Sequence, residues 1–254
     1  NNDNGGSMDW LSLAGIALGV AAIVLGNMAE GGLIATLLNL PAAMIVFGGS
    51  FAALMVQSPW LVIKHALIRT SWLFVPPRFN LHDLLETLCQ WGHAARREGL
   101  IGLENIAEVE HSMFARKGLN LLADGQPPSA IRNSLELDLY KQEDMGMQSA
   151  HVYDSLGGYA PTIGIIGAVL GLMQVLGNLN DPSEIGPGIA TAFVATLYGL
   201  GSANLIFLPL AQKLKHLVRS EYLYNELTIE GLVAIAEGEH PNSIRYRYEI
   251  LKRS

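Results

Sequence analysis

Four windows of the chain, residues 10–29, 31–63, 155–180 and 185–212, contain no Asp, Glu, Lys, Arg or His. A helix needs roughly 20 apolar residues to cross the hydrocarbon core, so each window predicts one membrane span. The second window is long enough to raise the question of two spans. Pro41, Pro59 and the polar pair Gln57-Ser58 predict a single span over about 39–57 with flanking turns. Between the second and third windows the pattern turns amphipathic. Leu81, Leu84, Leu85, Leu88 and Trp91 recur on one helical stripe. Asp124-Gly125 followed by Pro127-Pro128 predicts a helix stop. The stretch from Ser129 then reads as one long helix entering the third span, and the tail continues the fourth span as far as Gly238.

These patterns predict an all-α polytopic membrane protein with four transmembrane helices and a helical cytoplasmic domain inserted between spans two and three. Residues 1–7 read as a tag or linker, with Met8 the expected native start. Residues 8–58 hold spans one and two, 59–150 the cytoplasmic domain, 151–212 spans three and four, and 213–254 a cytoplasmic helical tail. The first span is followed by no convincing cleavage site and its n-region lacks Lys and Arg, so it reads as a retained helix.

Charge placement sets the expected orientation. All sixteen Lys and Arg lie in two blocks, nine from Lys64 to Lys141 and seven from Lys213 to Arg253. The connections 27–33 and 178–187 carry only Glu30, Asp181 and Glu184. Basic residues stay on the cytoplasmic side, so both blocks and both termini are expected inside. Half the residues are hydrophobic and 15% are charged, too apolar a composition for an ordinary soluble domain. A net charge of −7 argues against nucleic-acid binding. Cys89 is the single cysteine, so there is no disulfide framework. The seven histidines lack the i, i+4 pairing of a metal site, and no phosphate loop or nucleophile elbow is present. Enzyme chemistry has no seat in this pattern, and no cofactor is expected.

The third window, "GGYAPTIGIIGAVLGLM", places Gly164, Gly167 and Gly171 on one helical face. Each interior glycine costs about 1 kcal/mol relative to alanine, so a close approach of another backbone must offset it. The fourth window adds Gly186, Gly188, Ala190, Ala192, Ala195, Gly199, Gly201 and Ala203. Such faces describe a tight contact or a pore lining, and both readings stand at this point. The spans offer hydroxyls and an amide (Thr162, Thr191, Thr196, Tyr198, Ser202, Asn204) but no charged group. If ions cross here, the titrating carboxylate comes from another chain.

These segments, together with "PAAMIVFGGS", "ARKGLNLLADG" and "EGLVAIAEGEHP", resemble the flagellar motor stator subunits of the MotA and PomA family, the MotC type most closely. The resemblance runs along nearly the whole chain from Met8. It implies a homopentameric ring in the bacterial inner membrane around a MotB- or MotD-type partner. That partner has one span, an essential aspartate and a peptidoglycan-binding domain. The ring turns around the partner, and rotation passes to a switch protein of the FliG type. Residue by residue, it implies an ion-pathway role for Pro161, Gly164, Ala168, Gly171, Ala195, Thr196, Tyr198 and Pro209. Thr196 matches a threonine facing the partner's aspartate. Ala168 stands where sodium-driven relatives have threonine, which favours protons over sodium. Arg96 and Glu104, with Arg97 and Glu108 as helpers, match the charges presented to the rotor. Two other readings remain: an energising subunit of the ExbB or TolQ type, and a membrane scaffold that conducts nothing.

Overall fold

A computed structural model describes residues 10–77 and 79–240. The expected linker at 1–7, Met8, Arg78 and the tail from residue 241, with its four basic residues, lie outside the described residues. Among the described residues all regular structure is helical. The order is α1 (Trp10–Ala29), a 3-10 turn (Ile34–Leu37), then α2 (Leu40–Ala43), a π-helical turn (Met44–Gly48) and α3 (Gly49–Gln57) in unbroken succession. After them come α4 (Trp60–Phe74), α5 (Leu81–Glu98), a 3-10 turn (Leu100–Leu103), α6 (Glu104–Val109) and α7 (Met113–Ala123). The long α8 (Pro128–Gly177) and α9 (Pro182–Ser202) are followed by a second π turn (Ala203–Phe207) and α10 (Leu208–Ala236).

The ends of these helices have local causes. α7 stops at Gly125, whose φ of +67° suits glycine; its N–H donates to Leu122 O (2.9 Å) and that of Gln126 to Leu121 O (3.1 Å). α10 closes the same way at Gly238, φ +73°, with Glu239 N–H donating to Ala234 O (3.0 Å). Both stops agree with the sequence pattern. Asn39, Asn80, Ser112 and Asp181 cap α2, α5, α7 and α9 with side-chain oxygens that accept early backbone N–H groups.

The chain divides into two compact units. The first comprises the described residues up to 77 and residues 145–216. Among the described residues, four helical stretches are long and apolar enough to cross a membrane, over 10–29, 34–57, within α8, and within the run from Ile185. The second of them contains the 39–57 segment expected from sequence. α1 buries no residue against the rest of the chain, and Trp10, Leu11, Leu18 and Leu25 stand exposed. A helix apolar all round and left uncovered needs an apolar solvent. The unit's core is built from small residues: Ala42, Val46, Ala160, Val194, Ala195 and Ala203. Polar side chains add cross-links. Lys213 Nζ donates to Ser12 Oγ (2.8 Å), and Gln57 bonds both Ser155 Oγ (3.1 Å) and the Tyr159 hydroxyl (2.7 Å). Lys215 pairs with Asp154 at 2.5 Å.

The second unit contains residues 79–144 and the described residues from 217 onward. Its core is built from larger apolar side chains: Leu84, Leu88, Trp91, Leu119, Leu122, Ile131, Leu135 and Leu232 are buried together. The α5 stripe is in place, with Leu84, Leu85, Leu88 and Trp91 buried and Leu81 half-buried. Gly231 lets Leu88 in, since a Cβ there would lie 2.5 Å from Leu88 Cδ1. Arg132 holds Glu230 through two nitrogens, at 2.5 and 3.0 Å, and this pairing raises the guanidinium pKa further. Burial and then the surrounding carboxylates, Glu226 first, push the Tyr222 hydroxyl up from its ordinary value.

Candidate functional site

Helices α8 and α9 meet through bare backbone. A Cβ on Gly164 would stand 2.9 Å from Ala195 O, and one on Gly171 would stand 2.8 Å from both Ala192 N and Gly188 O. A Cβ on Gly167 would meet that of Ala195 at 2.7 Å. Real Cβ atoms do not come this close, so glycine is what permits the approach. Gly164, Gly171 and Ala195 are all buried in this contact within one chain.

Spacing along α9 separates three faces. Gly188, Ala192, Ala195 and Gly199 meet α8. Thr191 and Tyr198 turn to the start of α2. Asn39 Nδ2 donates to Thr191 Oγ1 (2.9 Å), Asn39 N–H donates to the Tyr198 hydroxyl (3.1 Å), and that hydroxyl donates to Leu37 O (2.5 Å). The Tyr198 ring stacks on Phe47 with centroids 6.1 Å apart. Ile189, Phe193, Thr196 and Leu200 form the third face. The three apolar members are exposed and Thr196 is half-buried. Thr196 and Tyr198, both expected on the ion pathway, therefore lie on different sides of the helix. Thr196 Oγ1 donates to Ala192 O at 3.2 Å, which keeps its lone pairs available on that third face.

Each proline leaves a carbonyl without its usual helical donor. Pro161 is half-buried within α8, and the carbonyl it releases belongs to Gly157, which Leu208 overlies. Pro209 is exposed and lies two residues past the second π turn, and the carbonyl it releases belongs to Leu205. Ala168 is half-buried on α8. Between residues 155 and 180 and between 185 and 212 there is no Asp, Glu, Lys, Arg or His. This region cannot by itself carry a proton on a carboxylate.

In the second unit, Arg96 and Arg97 occupy the last turn of α5, and Glu104 and Glu108 lie on α6. All four are exposed. Gly99, with φ +77°, makes the turn that leads from one helix toward the other. Arg97 Nε donates to Glu98 Oε1 (3.0 Å), and Gln90, His93, Ala94, Arg96 and Arg97 line an open groove.

Asn39 was not singled out by sequence reasoning, although its signal was present. An Asn two residues ahead of a proline, before an apolar helical run, is an N-cap pattern. Its long-range partners on α9 are invisible in one dimension.

Two family models match the chain: Motility protein A N-terminal over residues 13–99, and the MotA/TolQ/ExbB proton channel family over residues 106–226. Motility protein A of Helicobacter pylori is 34% identical over 240 residues, covering 93% of this chain and 92% of that protein. The solved structure of C. jejuni MotAB superposes with a TM-score of 0.88 at 28% identity, over 94% of both chains. The flagellar MotAB stator complex from Bacillus subtilis gives 0.83 at 32% identity, over 92% of both. With relatives this similar along nearly its full length, the chain belongs to the motility protein A branch of the MotA/TolQ/ExbB proton channel family.

Proposed function

We propose that this chain is a stator subunit of the bacterial flagellar motor, which converts proton motive force to torque together with a MotB-type partner. The observation that carries this reading is a membrane unit with glycine-close helices and no charged side chain in its last two spans, in a chain similar throughout to MotAB stator proteins. The partner's single span supplies the carboxylate. In a dry channel the charged form of that group is disfavoured, so it accepts a proton from outside and releases it inside. Each charge crossing the full potential yields about 2.3 kcal/mol per 100 mV. The change in charge moves the partner helix among five equivalent subunit faces, and a homopentameric ring steps around it.

In this reading the chain crosses the inner membrane four times, with both termini and the inserted helical domain in the cytoplasm. Thr196 faces the partner's carboxylate, Ala168 leaves no hydroxyl to replace sodium's water shell, and Pro161 and Pro209 couple helix shape to charge. Arg96, Arg97, Glu104 and Glu108 touch the FliG-type rotor protein, where exposed charges of both signs suit a contact made and released repeatedly. The match to Motility protein A N-terminal favours the motor over an ExbB- or TolQ-type energiser.

Motility complementation tests the proposal. A strain lacking its stators, given this chain and its partner, swims in sodium-free medium and stops when a protonophore is added. Swimming that requires sodium, or no swimming with any MotB-type partner, contradicts it.

A further inference from the structure

The contact between α8 and α9 is smooth. Glycine and alanine faces permit close approach but supply little to fix how far one helix rotates about its own axis. Directional bonds have to do that, and Thr196 and Ser202 bond only to their own helix, at Ala192 O and Gly199 O (3.3 Å). Thr191 and Tyr198, seven residues apart on one face, both meet Asn39, Thr191 while also donating to Pro187 O (3.0 Å). Asn39 makes three bonds there. Its Oδ1 accepts from Ala42 N–H (2.9 Å) to start α2, its Nδ2 reaches Thr191, and its N–H reaches Tyr198.

We infer that Asn39 is a positioning residue for ion conduction: by clamping Thr191 and Tyr198 it sets the rotation of α9 that keeps the Thr196 hydroxyl on the helix's third face. The inference rests on the proposed function and adds a residue outside spans three and four. Thr196 is two positions from Tyr198 and five from Thr191, which places it well around the helix from the clamp. A small rotation of α9 would replace its hydroxyl with the apolar Phe193 or Leu200 side chains, both exposed on the same stripe.

The test is proton influx into vesicles holding the native complex of this chain and its single-span, carboxylate-bearing partner, measured across a range of pH. Asn39→Ser keeps an oxygen for the Ala42 N–H, so α2 still starts, but cannot reach Thr191 as a donor. Thr191→Val removes the same bond from the other side. Both variants should assemble in native amounts and conduct about tenfold less, the cost of roughly one net hydrogen bond. Their flux midpoint should move to lower pH, because the Thr196 hydroxyl, its own proton given to Ala192 O, accepts only from the protonated carboxyl, and losing that bond disfavours the neutral form. The double variant should be no worse than either single one. Native flux with a native midpoint in both variants overturns the inference, as does a loss that leaves the midpoint unmoved. A silent native complex overturns the proposed function and this inference with it, whereas a conducting native complex beside unaltered variants overturns the inference alone.

Discussion

Gly164 of α8 and Gly199 of α9 lie backbone to backbone. A Cβ placed on Gly199 would stand 3.2 Å from the Gly164 Cα and 2.5 Å from the carbonyl oxygen of Ala160. Neither obstacle is a flexible side chain that can swing aside. Gly199→Ala should therefore push the helices apart and destabilise the membrane unit by about 1–3 kcal/mol. Gly158 and Gly201 have no neighbour within 4 Å of an added Cβ. Gly158→Ala and Gly201→Ala should be neutral or gain up to about 1 kcal/mol from helix propensity. Thermal unfolding of the full chain in detergent separates the two classes, and equal losses at all three positions would contradict the contact.

The second unit is held by ordinary apolar burial. Leu232 has no exposed surface and belongs to the cluster around Leu88, Leu119 and Leu135. Leu232→Ala should cost about 3 kcal/mol, through lost transfer energy and a residual cavity. Denaturant titration of the full chain checks it, and a loss below about 1 kcal/mol would show that the site collapses freely.

Asp181 gives a pH-dependent test. Its carboxylate accepts from Ser183 Oγ (2.6 Å) and Ser183 N–H (3.0 Å) at the start of α9, and these bonds hold its pKa below the ordinary 3.8. A lowered folded value means the stabilisation is present above the unfolded pKa and is lost as pH falls through the folded one. Asp181→Asn should thus melt earlier than the native protein at pH 7, with the gap closing as pH falls through the lowered folded value. A gap unchanged in acid would show that the charge contributes nothing.

For the rotor contact, Arg96→Glu should abolish most swimming while the stator still assembles, since Arg96 is exposed and supports no core residue. Speed of tethered cells at low expression measures it. Normal torque in that variant would remove Arg96 from the contact.

Sequence pattern carried much of this architecture. The stops at Gly125 and Gly238 were legible because glycine in the left-handed region ends a helix by a local rule. The α5 stripe was legible because one buried face imposes its period. The glycines of α8 were legible only in part. Their spacing announces that some backbone comes close, but not which one. Gly164 and Gly171 meet α9 of the same chain, a pairing that spacing along one helix does not encode. Asn39 and the two π turns were missed for a related reason. Asn39 finds its partners more than 150 positions away, and a π turn adds a residue to a helix without any marker in residue type.

The central claim is that this chain forms an uncharged path whose working acid belongs to a second protein. Proton influx into vesicles under an imposed membrane potential tests it, with this chain alone, with its MotB-type partner, and with a partner whose membrane aspartate is replaced by asparagine. The account predicts influx only in the second case, whereas coupled influx from this chain alone, or influx that survives the aspartate replacement, would contradict it.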